Sequence, residues 1–157
     1  MLKINIPDYK LLQIEHLVLD YNGTLAQDGQ IIEGVENKLR KLSTQIEVHI
    51  LTADTFGTVK SQLTESFINI EIIEKDKEGI DYKSEFVKSL GQKKVISIGN
   101  GNNDAQMLKN AALGIAIIGH EGAAVKALMN ADIVINSIKG ALDLLINKRR
   151  LIATLRR

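Results

Sequence analysis

The residues able to do chemistry in this 157-residue chain stand where short apolar runs end. Leu17-Val18-Leu19 leads into Asp20-Tyr21-Asn22-Gly23-Thr24-Leu25, so an apolar stretch finishes in an aspartate and turns at once. A carboxylate held at the tip of a buried strand is a candidate nucleophile toward phosphorus. Three further polar clusters follow apolar runs in the same way: Thr52-Ala53-Asp54, Gly99-Asn100-Gly101-Asn102-Asn103-Asp104 and Gly119-His120-Glu121-Gly122. Lys83 adds a cation on an early helical turn. Each has a structural alternative. Asn22-Gly23 is a common tight-turn pair, Thr52, Asp54 and Thr55 are suited to capping a helix, an isolated Lys83 would face solvent, and Gly99–Asp104 reads equally as a plain loop. The histidines His16, His49 and His120 lie far apart without metal-ligand spacing. His16 and His49 read as strand residues, and only His120 falls near the proposed site.

Elements that would position these clusters alternate along the chain. Apolar runs of strand length cover residues 16–20, 46–52, 68–73, 94–99, 113–118 and 133–136, and helical patterns cover 34–43, 55–67, 81–90, 104–111, 122–130 and 138–145. Short, near-continuous apolar strands alternating with helices imply βαβ units and a parallel sheet buried on both faces. Right-handed crossovers then place helices on both sides. The fold class expected is α/β: a Rossmann-like, doubly wound, mainly parallel sheet whose carboxyl-end edge gathers the four clusters. Residues 1–15, alternating around Pro7-Asp8, read as an accessory β-hairpin appended to the main sheet. Asp28-Gly29 marks a second, smaller hairpin. Residues 146–157 read as a basic C-terminal tail or helix, and 1–157 as a single domain.

Composition narrows the function classes. Apolar residues at 45% and charged residues at 25% are ordinary for a globular chain with a sizeable core. The net charge of +1, with acids and bases interspersed, argues against nucleic acid as a partner. No apolar run approaches membrane-span length, so no membrane partner is expected. The N-terminus lacks a signal-peptide core, which makes the cytoplasm the expected location. The absence of cysteine excludes disulfides, thiolate catalysis and Cys-ligated metal.

Taken jointly and in order, the clusters resemble the haloacid dehalogenase-like superfamily of phosphotransferases, and especially the phosphorylation domain of P-type ATPases. Asp20-Tyr21-Asn22-Gly23-Thr24-Leu25 resembles the first motif, D-x-D/T-G-T-L/V. Leu51-Thr52 matches the second, and Lys83 has the spacing of the third, 17 residues before Asn100. Gly99–Asp104 (GNGNND) matches the fourth, G-D-G-x-N-D, with its first aspartate changed. The following run resembles the ATPases through Gly114, Ala116, Gly119, Gly122, Ala131 and Asp132. The resemblance covers roughly residues 16–145 and is nearest to soluble P-type ATPase-like proteins.

The resemblance implies a Mg²⁺-dependent phosphatase or phosphotransferase forming an aspartyl-phosphate on Asp20, with Asn22, Thr52, Lys83 and Asp104 completing the catalytic set. Phosphate binding falls to Asn22, Gly23, Thr24, Thr52, Ala53, Lys83 and Asn103, largely through turn amides and the Thr52 hydroxyl. Metal ligands would be Asp20, the Asn22 carbonyl and the Asn100 side chain, while Asp104 orients Lys83. Two departures matter. Family phosphatases carry an aspartate at position 22 that shuttles a proton, worth about 10²–10⁴-fold, and Asn22 cannot. Asn100 removes one carboxylate from the metal shell. A slow enzyme with a long-lived phosphoenzyme is therefore expected; the alternative is a catalytically impaired phosphate-binding or regulatory module. The gaps between motifs leave no room for a cap domain. Substrate cover would then come from a phosphorylated macromolecule, a partner protein, or a second subunit in a homo-oligomer.

Overall fold

Strict alternation of apolar and polar residues builds the first two strands. The computed structural model describes residues 1–53, 59–63, 65–73 and 80–157. In it, β1 (Leu2–Ile6) and β2 (Lys10–Ile14) pair antiparallel. They form a two-stranded sheet of their own rather than an extension of the main sheet. Leu2, Ile4, Ile6, Leu12 and Ile14 turn into the principal core, and Lys3, Asn5 and Leu11 face outward. The expected accessory hairpin is therefore present, attached by its apolar face.

The main sheet has six parallel strands. Following β3 (His16–Asp20), the chain makes a small hairpin, β4 (Ala26–Gln27) and β5 (Gln30–Ile31), through Asp28 at φ 52° and Gly29 at φ 77°. Positive φ at both central residues is what Asp-Gly supplies. Helix α1 (Val35–Ser43), β6 (Glu47–Thr52), α2 (Val59–Gln62) and β7 (Ile68–Ile72) come next. The chain continues as α3 (Ile80–Ser89), β8 (Val95–Gly99), α4 (Ala105–Asn110) and β9 (Leu113–Ile117), and ends with α5 (Val125–Asn130), β10 (Ile133–Ile135), α6 (Ile138–Ile146) and α7 (Lys148–Leu155). Strand order is β10-β9-β8-β3-β6-β7. The order reverses direction at β3, so the crevice between β3 and β8 is the topological switch point where open α/β sheets bind ligands.

Side-chain alternation along β3 decides which face the chemistry uses. Leu17 and Leu19 join the core shared with α1, α6 and the hairpin, whereas Val18 joins the cluster with Val87 of α3 and Met107 of α4. Asp20, two residues after Val18, therefore projects toward α3. Register sets its neighbours: Asp20 is opposite Leu51 and Leu19 is opposite Ile98, which brings Thr52 and Asn100 to the same edge.

Boundaries differ from the sequence expectation in two places. Gly122 has φ 76° and Ala124 is extended, so α5 starts at Val125 rather than at 122. Residues Asn102–Asp104 form a 3-10 turn ahead of α4. The C-terminal segment is a helix, α7, which buries Leu151. The helix expected over 55–67 is described only at α2, and the capping reading of Asp54 and Thr55 falls outside the described residues. No described helix is long and apolar enough to cross a membrane.

Because Ile4 is only 1% exposed, Ile4→Ala is expected to cost about 2–5 kcal/mol of unfolding free energy. Urea denaturation would read this as a lower midpoint at unchanged slope; an unchanged midpoint would mean that the hairpin is an independent appendage.

Candidate active site

The tip of β3 presents Asp20, which is 8% exposed. Lys83, on the second turn of α3 and 2% exposed, donates to Asp20 Oδ1 and to Asp104 Oδ1, each at 2.6 Å. Asp104 is fully buried, and its other oxygen accepts backbone N–H groups of Asn100 at 2.9 Å and Gly101 at 2.8 Å. Both Asp104 oxygens are thus occupied, one by an ammonium and one by loop amides. Gly99 makes this close approach feasible, since a Cβ there would lie 2.5 Å from the Asp104 carboxyl carbon. α3 is held beside α4 by the hydrogen bond from Asn110 Nδ2 to Ser84 Oγ at 2.7 Å, next in sequence to Lys83.

Two carboxylates around one ammonium leave an excess negative charge in a buried place. Burial, and then the nearby Asp104 charge, push the Asp20 carboxyl up to about 6 against the opposing pull of Lys83. Burial alone would lower the Lys83 pKa, but the attraction of Asp20 and Asp104 outweighs it and holds the amine above its ordinary value. Lys83 therefore stays charged at neutral pH.

On the open side of Asp20, the Thr24 hydroxyl lies 3.2 Å from Asp20 Oδ2 and 3.4 Å from Asn100 Oδ1. The Asn100 amide donates from Nδ2 to the Gly122 carbonyl at 3.2 Å, which aims Oδ1 at this cluster. Gly23, at φ 76°, lies directly beneath: a Cβ there would stand 2.6 Å from Asn100 Nδ2 and 2.7 Å from Glu121 Oε2. Glu121 is exposed, and its carboxylate makes no hydrogen bond or ion pair among the described residues. Beside it opens a cavity of about 250 Å³ lined by Gly23, Thr24, His120, Glu121, Asn136 and Lys139.

The structure thus gathers Asp20, Thr24, Thr52, Lys83, Asn100 and Asp104 at one sheet edge, with Asn22 and Gly23 in the turn and Ala53 just past β6. The expected phosphate contacts of two turn amides need correction. Gly23 N–H donates to the Ala26 carbonyl at 3.0 Å and Thr24 N–H to the Tyr21 carbonyl at 3.2 Å, so the turn itself consumes both donors. Thr24 contributes its hydroxyl instead. Asn103 is exposed, and its amide oxygen faces Gly101 rather than Asp20. The Gly119–Gly122 cluster reaches this edge as expected, but its carboxylate, Glu121, rather than the singled-out His120, is the side chain set beside Gly23 and Asn100.

The sequence profile of haloacid dehalogenase-like hydrolases matches residues 53–140, more than half of the chain. The chain belongs to this family. An uncharacterized protein of Methanocaldococcus jannaschii is 56% identical over 72 residues, covering 46% of this chain and 77% of that protein. Among solved structures, the 3-deoxy-D-manno-octulosonate 8-phosphate phosphatase of Moraxella catarrhalis, in complex with magnesium, phosphate and KDO, superposes with a TM-score of 0.62. The pair share 20% identity over 91% of this chain and 94% of that one. The catalytic domain of the CPx-ATPase CopB-B gives a TM-score of 0.60 at 26% identity, over 73% of this chain and 45% of that chain. The haloacid dehalogenase-like fold and the kinship with a P-type ATPase domain agree with the sequence expectation.

Lys83→Met would leave two buried carboxylates without a counter-charge and is expected to cost about 3–5 kcal/mol at neutral pH. Asp20 binds its proton more readily folded than unfolded, and loss of Lys83 raises its folded pKa further. Folding of the variant then takes up a proton at pH values where wild-type Asp20 is still ionised, so the stability deficit should shrink as pH falls toward about 6 and level off below it. Thermal unfolding of both proteins from pH 8 to pH 5 measures this; a constant deficit would contradict it.

Proposed function

We propose that this protein is a Mg²⁺-dependent phosphate-ester hydrolase or phosphotransferase that works through an aspartyl-phosphate on Asp20. The observation that carries this reading is the buried Asp104–Lys83–Asp20 chain, which fixes one carboxylate oxygen of Asp20 and leaves the other on the open side with Thr24 and Asn100. Asp20 Oδ2 attacks phosphorus in line, a P–O bond to the carboxylate forms, and the ester P–O bond breaks with its electron pair leaving on the alcohol oxygen. Water then attacks the same phosphorus, the bond to Asp20 breaks, and phosphate departs with the carboxylate restored. Lys83 and Thr52 offset charge on the phosphoryl oxygens during both transfers.

The donor set suits a hard cation. The Asp20 carboxylate, Asn100 Oδ1 and the Asn22 carbonyl all offer oxygen, the ligand type that Mg²⁺ prefers. When bound, the ion would neutralise phosphoryl charge. Glu121 supplies a negative charge beside Asn100, where the family motif carries an aspartate.

Asn22 governs the rate. Its amide neither protonates a leaving oxygen nor takes a proton from water, so turnover favours substrates whose leaving group is already a weak base. A second reading, a phosphate-binding or regulatory module, rests on the same residue together with Asn100. The absence of a cap among the described residues leaves the site open to a phosphorylated macromolecule, or to a second copy of the chain as cover.

An aryl-phosphate assay with Mg²⁺ separates the readings: wild type should turn over slowly, Asp20→Asn not at all, and Asn22→Asp at least about tenfold faster. Wild type as inactive as Asp20→Asn, while still binding phosphate, would favour the binding module. Glu121→Gln is expected to weaken Mg²⁺ binding by about 10–100-fold, measured with Mn²⁺ as a paramagnetic stand-in. Unchanged affinity would remove Glu121 from the metal's surroundings.

A further inference from the structure

The amino-terminal edge of the sheet, opposite Asp20, holds a second cluster of ligating side chains. His16 opens β3, and Glu47 and His49 lie on β6; the register sets His16 opposite Glu47 and Val18 opposite His49. Residues 16, 47 and 49 therefore share one face across adjacent parallel strands. His16 Nδ1 is 3.2 Å from His49 Nε2 and 3.4 Å from Glu47 Oε2, and His49 Nε2 is 3.6 Å from the same oxygen. The three atoms form a nearly equilateral triangle. Zinc bonds of about 2.0–2.2 Å to nitrogen and oxygen put adjacent corners of a tetrahedron about 3.3–3.6 Å apart. The triangle has the dimensions of three such corners.

We propose that His16, His49 and Glu47 form a binding site for a divalent transition metal of the zinc class, distinct from the all-oxygen site at Asp20. The His16 Nδ1–His49 Nε2 contact is a hydrogen bond when one ring carries the proton between them, whereas a cation would answer both nitrogens and the Glu47 carboxylate at once. His49 is 6% exposed, and its Nδ1 is buried with no hydrogen-bond partner among the described residues. Nε2 is thus the ring's only polar outlet. Phe86 of α3 packs edge-on against the ring at 5.5 Å between centroids and fixes its plane. Burial, and then the neighbouring His16, lower the His49 pKa, which favours the neutral ring that metals bind.

Access and selectivity fit the same reading. Glu47 is exposed, and a surface cavity lined by Glu15, His16, Thr44, Gln45, Glu47 and Asn69 gives solvent access to two of the three side chains, His16 and Glu47. Two imidazoles and one carboxylate select zinc-class ions over Mg²⁺, whereas the oxygen donors at Asp20 do the reverse. The bound ion would join β3 to β6 at their amino ends, the two strands that carry Asp20 and Thr52 at the other end.

The test is Co²⁺ titration of the untagged full chain in excess Mg²⁺, followed by visible absorption and by Zn²⁺ displacement. One equivalent of Co²⁺ should give a tetrahedral-type visible band that Zn²⁺ abolishes. The band should be lost in His16→Gln, bind at least tenfold more weakly in Glu47→Gln, and persist in Asp20→Asn. Circular dichroism checks that each variant is folded, and the exposed Glu47 position keeps the test open if His16→Gln is not. A proton alone in the triangle, seen as no band in wild type, overturns the proposal. So does a band lost in Asp20→Asn, or equal affinity in Glu47→Gln and wild type.

Discussion

One ammonium held between two buried carboxylates sets the terms for the rest of the site. Asp20 and Asp104 lie on opposite sides of Lys83, each 2.6 Å from it, in surroundings too dry to tolerate either charge alone. Much of the nearby sequence serves this triad. Gly99 gives up its side chain so that Asp104 fits, the Asn100 and Gly101 amides saturate the far oxygen of Asp104, and α3 and α4 are tied together beside Lys83. Burial, with the Asp104 charge adding to it, holds the Asp20 pKa up in spite of Lys83. On the proposed reading, such a carboxylate has something to gain from a cation and an electrophilic phosphorus.

The two asparagines modify this arrangement differently. Asn100 keeps an oxygen aimed at Asp20 because its nitrogen is committed to the Gly122 carbonyl. In the proposed metal site its oxygen would remain a ligand, and only charge is lost. Glu121 brings a carboxylate to the same spot from the β9–α5 loop. Asn22 is different, because no group at its position replaces a proton shuttle. On the proposed reading, charge at the site is rebalanced from elsewhere in the chain, while proton transfer is not.

The sheet also separates two kinds of ligand chemistry by about its own strand length. Its carboxyl edge collects oxygens from loops, where turns hold carbonyls, amides and hydroxyls close together. Its amino edge collects imidazole nitrogens from the strands themselves, where the parallel register aligns side chains on one face. The principal core between hairpin and sheet keeps the strands rigid enough for both sets of distances to be held.

Local pattern in the sequence was enough to indicate the α/β architecture, the accessory hairpin and the Asp-Gly turn, because strand and helix periods and turn preferences act over a few residues. The ordered spacing of Asp20, Thr52, Lys83 and Asp104 likewise pointed to one edge of a parallel sheet. What sequence spacing did not convey was strand register and loop direction. Register brought His16 and His49 together although 33 positions separate them. Loop direction turned the Gly23 and Thr24 amides inward, left Asn103 facing away, and set Glu121 rather than His120 over Gly23. Such contacts depend on where distant backbones meet, and only packing of the whole chain decides that.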